Sequence, residues 1–148
     1  MSELISFFHH GAINIYSGAK SWQHAIDLSM ENLLENNWVT KNYIASIKQT
    51  TLDIGPYYLL APHIAMPHAR PECGALKTAL SLTLLREGVN FDAESPPINL
   101  LIGLAAADAD SHIAAIQALS EMLCEDDVIN ELLHAENIEE LTNIIRRY

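Results

Sequence analysis

Two apolar segments in the middle of the chain constrain its fold more than any other feature. In residues 79–85 leucines alternate with alanine, serine and threonine, and residues 98–104 (INLLIGL) are almost wholly apolar. Strands have this composition when both faces of their sheet are covered. The intervening REGVNFDAESPP is rich in turn formers, and residues 57–60 are a shorter candidate strand. We therefore predict a buried β-sheet here.

Helical patterns flank these strands. Between Trp22 and Trp38 apolar residues recur at helical spacing, and the acids that lie opposite them are four residues apart (Asp27, Glu31 and Glu35). Thr40 is expected to cap a second helix, which carries Tyr43 inward and ends before Gly55. After the strands, three further helices are expected.

The helices after the strands are predicted from their start signals. Asp110 or Ser111 is the expected cap of the first, an aspartate at position 126 or 127 opens a short one, and residues 137–140 (NIEE) resemble the capping box of the last. Helices, then strands, then helices around one buried sheet predict an α/β sandwich.

Size and charge exclude several classes of protein. With 148 residues, 49% of them hydrophobic, the chain has the size of a single domain, residues 1–148. Its net charge of −11 makes nucleic acid a poor partner. The longest apolar run is far shorter than the roughly 18 residues of a membrane span, and the N-terminus lacks the basic start of a secretory signal. We expect a chain that stands alone in the cytoplasm, without direct membrane insertion.

The proline-rich segment PHIAMPHARPE, residues 62–72, carries the most distinctive chemistry. Its prolines remove amide donors and favour extended backbone in the residue before each, so the segment cannot be a helix. Side chains alternate between the two sides of an extended chain, which places His68 and Arg70 on one side and His63 on the other. We predict that His68 and Arg70 form a local unit without His63.

This unit suits phosphoryl transfer. Near pH 7 much of the imidazole of His68 is neutral and nucleophilic, and a phosphohistidine can pass its phosphoryl group onward. The planar guanidinium of Arg70 can neutralise the oxygens of the moving group. Such transfer needs positioning and charge stabilisation, and the chain contains neither a Walker P-loop nor a G-x-G-x-x-G motif. The spacing alone is a weak signal, because a lone histidine in a proline-rich loop is more often structural or solvated.

The string IAMPHAR resembles the active-site segment of the enzyme IIA components of the bacterial phosphoenolpyruvate-dependent sugar phosphotransferase system, of the mannitol and fructose type. The resemblance extends over nearly the whole chain through ALKTALSLTLLREGVNF, PINLLIGLAA and SHIAAIQALSEML. It implies a mixed central β-sheet flanked by helices on both faces, with His68 as the phosphoryl acceptor. Within the family, APHIAMPHARPECGALKT is most similar to the L-ascorbate branch.

The resemblance assigns roles to other residues. His112 matches a second histidine that helps position the phosphoryl group, and its expected place at a helix N-terminus is one that favours anions. Arg70 either stabilises the phosphate or pairs with an acid such as Glu72. His63 stands where mannitol and fructose members commonly have glycine, and we interpret it as a neutral replacement.

The function implied is that of a phosphocarrier. His68 accepts a phosphoryl group from the phosphohistidine of HPr and transfers it to a cysteine of enzyme IIB for sugar uptake, with L-ascorbate as the expected sugar. The membrane component IIC is then an indirect partner, and neither a cofactor nor a metal is expected.

Three alternatives accompany this hypothesis. A regulatory module of the same fold could be phosphorylated on His68 and read by a transcription factor, kinase or transporter. A metal-dependent hydrolase using His63, His68 and His112 is disfavoured because the first two diverge and no carboxylate has ligand spacing. Cys73 as a thiol nucleophile has no evident orienting partner, and it and Cys124 are interpreted as reduced thiols. The histidines without supporting neighbours are His9, His10, His24 and His134.

Overall fold

The computed structural model describes residues 3–148 and contains a five-stranded mixed sheet. Its strands are β1 (Phe8–Tyr16), β2 (Leu59–Ala61), β3 (Ile64–Ala65), β4 (Ala79–Val89) and β5 (Ile98–Ala105). Their order in the sheet is β1-β4-β5-β3-β2. β4 pairs antiparallel with β5, and β2 pairs antiparallel with β3. β1 runs parallel to β4, and β3 runs parallel to β5.

Helices cover both faces of this sheet. They are α1 (Trp22–Glu35), α2 (Lys41–Ile54), α3 (Ala109–Leu123), α4 (Val128–Leu133) and α5 (Ile138–Ile145). Because side chains alternate along β4, Leu80, Leu82 and Leu84 share a core with α3, α4 and α5, whereas Ala79 and Leu85 pack with α1 and α2. The predicted α/β fold is confirmed. No helix within residues 3–148 is both long and apolar enough to cross a bilayer.

The helix starts follow ordinary capping chemistry. Thr40 caps α2 as predicted, and its hydroxyl accepts the Tyr43 amide. The side chain of Asn137 accepts the Glu140 amide as the predicted capping box requires, but the Glu140 carboxylate reaches the amide of Glu136, one residue before the cap. α4 starts directly after the aspartate at position 127.

The predicted cap of α3 is wrong. The cap is Asp108, whose carboxylate accepts the Ser111 amide at 2.8 Å, and the expected caps Asp110 and Ser111 lie inside the first turn. Asp108 has the extended backbone of a cap residue, with a φ of −150°. The alanine at position 109, a strong helix former, therefore begins the helix.

Strand β1 and the ends of two other elements depart from the predicted pattern. β1 lies at the edge of the sheet, and Gly11, with a φ of 80°, interrupts its pairing with β4. This interruption and the exposed polar residues near it hide the alternation that would have indicated a strand. α1 ends at Glu35 because Asn37 turns the chain with a φ of 59°. The short candidate strand is displaced to β2.

Candidate active site

Three of the residues singled out in the sequence, His68, Arg70 and His112, come together at the ends of two parallel strands. Because β3 and β5 run parallel, their carboxyl ends lie at the same end of the sheet. His68 follows β3, and His112 lies in the first turn of α3, which follows β5. Together with Arg70 they line a groove of about 760 Å³, to which α2 also contributes side chains. Open α/β sheets bind ligands at this end of their strands.

The ring of His68 is anchored through one nitrogen. Its Nδ1 lies 2.7 Å from the carbonyl oxygen of Met66. A carbonyl oxygen only accepts hydrogen bonds, so Nδ1 donates, and the lone pair of a neutral ring is on Nε2. The backbone is anchored as well, because the Leu104 amide donates to Pro67 at 3.0 Å and the Tyr57 hydroxyl donates to the His68 carbonyl. The half-buried ring is therefore held with Nε2 as its unengaged nitrogen.

The second imidazole, His112, lies beside the first. The two ring centroids are 6.5 Å apart, and the ring planes are tilted by 57°. His112 belongs to the first turn of α3, where its amide donates to the carbonyl of Asp108 at 3.1 Å. Hydrogen bonds from Ser111 hold the pKa of the Asp108 carboxyl below its ordinary value. The groove thus has a second imidazole and the first turn of a helix close to His68, together with the Asp108 carboxylate that caps this turn.

Arg70 lies at the exposed rim of the groove. The sequence analysis left two alternatives open for its guanidinium, which either faces a phosphate site or pairs with Glu72. Among residues 3–148 the ion pairs are Lys48 with Asp27 and Arg147 with Glu131, so the pairing with Glu72 does not occur. The guanidinium of Arg70 therefore stays available at the groove.

His63 lies away from this groove, as predicted, but for a different reason. It occupies the turn between β2 and β3, with a φ of 71°, and its Nδ1 is 2.8 Å from the carbonyl of Pro97. A turn, and not side-chain alternation along an extended chain, directs the ring outward. Glycine adopts a positive φ without steric cost, so a glycine would fit this turn at least as well as the histidine. The ligand set of the hydrolase hypothesis is contradicted, because His63 is separated from the other two histidines.

Two tyrosines of the site were missed in the sequence. Tyr43 was predicted only as a core residue of α2, yet its hydroxyl contacts Ala69, the neighbour of His68. Tyr57 was assigned to a strand, but its ring meets that of His68 edge to face at 5.5 Å. Burial raises the pKa of both hydroxyls, that of Tyr43 to about 12. Helical spacing identified Tyr43 as buried, but no sequence pattern indicated the partner of its hydroxyl.

The remaining candidates do not assemble into a second reactive centre. Cys73 lines the groove, but in the described part of the chain no imidazole hydrogen-bonds to its thiol. The ring of His9 contacts that of Trp38, with centroids 4.0 Å apart and planes tilted by 45°, and the ring of His24 accepts a hydrogen bond from the Lys20 amide. The other two unsupported histidines, His10 and His134, are exposed. Residues 3–148 contain no cluster of three or more His, Cys, Asp or Glu that could hold a metal ion.

Comparison with known proteins identifies the family. The chain belongs to the phosphoenolpyruvate-dependent sugar phosphotransferase system EIIA 2 family, which matches residues 6–148. It is an enzyme IIA component, a phosphoryl carrier that takes part in sugar phosphotransfer. The predicted family and enzyme class are confirmed.

Individual relatives refine this assignment. The mannitol-specific cryptic phosphotransferase enzyme IIA component of Escherichia coli is 57% identical over 144 residues, which are 97% of this chain and 98% of the relative. The solution structure of the enzyme IIA of that description has a TM-score of 0.95 at 56% identity, covering 99% of this chain and 100% of the other. The complex of mannitol enzyme IIA with phosphorylated enzyme IIB from Escherichia coli has a TM-score of 0.78 at 29% identity, covering 95% and 99% of the chains.

The predicted place in the ascorbate branch is not supported. The ascorbate-specific EIIA component of Salmonella typhimurium is 32% identical over 146 residues, which are 96% of this chain and 94% of the relative. The identity to the mannitol-specific cryptic component, 57%, is much higher. The ascorbate prediction rested on one segment around His68. A single short segment is therefore a poor guide to the sugar.

Proposed function

We propose that His68 is the phosphoryl acceptor of this enzyme IIA. The observation that carries the proposal is the anchored ring, whose Nδ1 is engaged by Met66 while Nε2 is free in the groove. Nε2 attacks the phosphorus of a donor phosphohistidine, a nitrogen–phosphorus bond forms on His68, and the donor's own nitrogen–phosphorus bond breaks. The donor imidazole leaves with the electron pair. This exchange requires neither a nucleotide nor a metal ion.

His112 and Arg70 are proposed to stabilise the oxygens of the transferred group. An imidazole on the neighbouring element can donate a hydrogen bond to a phosphoryl oxygen, and a guanidinium fork can engage oxygens from the rim. The 6.5 Å between the two ring centroids and the presence of Arg70 in the same groove support these roles. Both groups then act on charge carried by the group in transit.

The proposed partners are HPr as the donor and enzyme IIB as the acceptor. A thiolate of enzyme IIB attacks the phosphorus on His68, a sulfur–phosphorus bond forms, and the electron pair of the broken bond returns to Nε2. The complex of a related mannitol enzyme IIA with phosphorylated enzyme IIB supports enzyme IIB as the partner. HPr, and enzyme IIC as an indirect partner, follow from the family. On this proposal residues 1–148 act as one domain in the cytoplasm.

The proposed sugar is mannitol or a closely similar polyol. The support is the 57% identity to the mannitol-specific cryptic component of Escherichia coli, over almost the full length of both chains. The sugar itself does not contact this chain, because enzyme IIB and the membrane component carry out its phosphorylation. Specificity therefore depends on which enzyme IIB this chain recognises.

Phosphorylation in a reconstituted system tests the proposal. Phosphoenolpyruvate, enzyme I and HPr are expected to place an acid-labile phosphoryl group on the wild-type protein and none on His68→Ala. Adding a mannitol-type enzyme IIB should then discharge the adduct, whereas an ascorbate-type enzyme IIB should not. An adduct that persists on His68→Ala contradicts the role of His68. An adduct that no enzyme IIB discharges favours the regulatory alternative.

A further inference from the structure

We propose that Tyr43 is a positioning residue for phosphoryl transfer, because its buried hydroxyl ties the segment that carries His68 to strand β5. The inference rests on the proposed function of His68. Tyr43 lies on α2 and is only 1% exposed, and its hydroxyl is bonded to protein groups. The consequence is a fixed path for the backbone on both sides of the acceptor.

The hydroxyl of Tyr43 uses both of its hydrogen-bonding capacities. It lies 2.8 Å from the carbonyl oxygen of Leu104 and 3.1 Å from the amide nitrogen of Ala69. It also lies 3.2 Å from the carbonyl oxygen of Ala69. Because a hydroxyl has a single hydrogen, it donates to the nearer acceptor, the Leu104 carbonyl, and accepts from the Ala69 amide. Burial raises the pKa of the Tyr43 hydroxyl to about 12, so the hydroxyl stays a neutral donor at physiological pH.

These bonds bracket His68 on both sides. On one side the Leu104 amide donates to the carbonyl of Pro67 at 3.0 Å, and on the other side the Tyr43 hydroxyl connects Ala69 to the carbonyl of Leu104. Both neighbours of His68 are thereby fastened to the same residue of β5. The bond from His68 Nδ1 to the Met66 carbonyl depends on this path, because the ring and that carbonyl lie on the same short segment.

A second buried tyrosine, Tyr58, provides a control that distinguishes the proposed positioning role from the general effect of removing a buried hydroxyl. Tyr58 is also 1% exposed, and burial raises the pKa of its hydroxyl to about 12 as well. Its hydroxyl bonds at 2.8 Å to the hydroxyl of Thr51, a residue of α2, and makes no bond to residues 66–70. Removing either hydroxyl deletes one buried polar group, but only that of Tyr43 holds the segment with His68.

The test compares Tyr43→Phe with the matched control Tyr58→Phe. The rate of phosphoryl transfer from HPr, measured per folded molecule, is expected to fall about tenfold or more in Tyr43→Phe, because small displacements of reacting groups have large effects on rate. The rate in Tyr58→Phe should stay within about twofold of the wild-type rate.

In nitrogen NMR spectra the neutral His68 ring should be protonated at Nδ1 in the wild type and in Tyr58→Phe. In Tyr43→Phe the ring should become a mixture of tautomers.

The outcomes distinguish this inference from the proposed function. An adduct retained on His68→Ala would overturn the role of His68 itself. If phosphorylation occurs on His68 but Tyr43→Phe and Tyr58→Phe transfer at equal rates with equal tautomer populations, only the role of Tyr43 is overturned. Amide hydrogen exchange in the wild-type protein tests the bond between the Ala69 amide and the Tyr43 hydroxyl without any substitution. Slow exchange at Ala69 supports the bond to Tyr43, and exchange as fast as that of an open loop overturns it.

Discussion

The centre of the sheet and its β2–β3 edge are built in different ways. β4 and β5 form an extended antiparallel pairing, and nearly all of their paired residues are buried. β2 and β3 are three and two residues long, and β3 joins the sheet through two residue pairs with β5. The centre is therefore held by continuous backbone pairing and apolar packing, whereas the segment that follows β3 is held by a few individual hydrogen bonds, with the Leu104 amide and with the hydroxyls of Tyr43 and Tyr57. Stability and chemistry are expected to depend on different regions.

A leucine-to-alanine substitution in each of the two regions should give the largest difference, measured as the loss in free energy of unfolding. Leu82 in β4 is fully buried, and Leu60 in β2 is 49% exposed. Leu82→Ala is expected to lower the free energy of unfolding by about 2–5 kcal/mol, because it leaves a cavity in the core. Leu60→Ala should lower it by less than about 1 kcal/mol. Urea denaturation measures both, and equal losses would contradict the division between centre and edge.

His112→Ala should show the opposite pattern. Loss of the second imidazole is expected to slow phosphoryl transfer from HPr by roughly tenfold to a hundredfold, since one group that stabilises charge in the transition state is removed. The free energy of unfolding should change little, because the ring is only partly buried and belongs to the first turn of α3. Stopped-flow phosphorylation and urea denaturation together separate the two effects.

The matched control for His112 is His134→Ala, which removes an exposed imidazole outside the groove. Transfer at the wild-type rate is expected in this variant. A His112→Ala protein that is phosphorylated as fast as His134→Ala would remove His112 from the proposed chemistry. A His112→Ala protein that is strongly destabilised would instead show that the edge contributes to stability as the centre does.

The two regions also differ in how far sequence alone predicts them. β4 and β5 were predicted because strands covered on both faces have an apolar composition that is visible in a short window. The cap of α2 could be predicted because capping is a short-range interaction: the Thr40 side chain accepts a hydrogen bond from an amide only three residues away. These interactions are local or repetitive. β1 was missed because Gly11 interrupts an edge strand that carries exposed polar residues.

At the β2–β3 edge, prediction depended on a motif. His68 was singled out by the string around it, and His112 by resemblance to a family. That the two rings meet follows from the parallel pairing of β3 with β5, and β3 is too short to be recognised from two residues. The bond between Tyr43 and Ala69 joins residues 26 apart in the chain. Apolar spacing predicts that Tyr43 faces inward, but it carries no information about which backbone group its hydroxyl meets.

The smallest expected effect concerns His63, the histidine near the acceptor in sequence but outside the groove. Its positive φ of 71° is strained for any residue with a Cβ atom. His63→Gly is therefore expected to be more stable than His63→Ala by about 1 kcal/mol, measured by urea denaturation. Both variants should accept a phosphoryl group from HPr at the wild-type rate, because the ring bonds to Pro97 and does not line the groove. Equal stability of the two variants would contradict the strain argument, and slower transfer in both would place His63 among the groups that serve the acceptor.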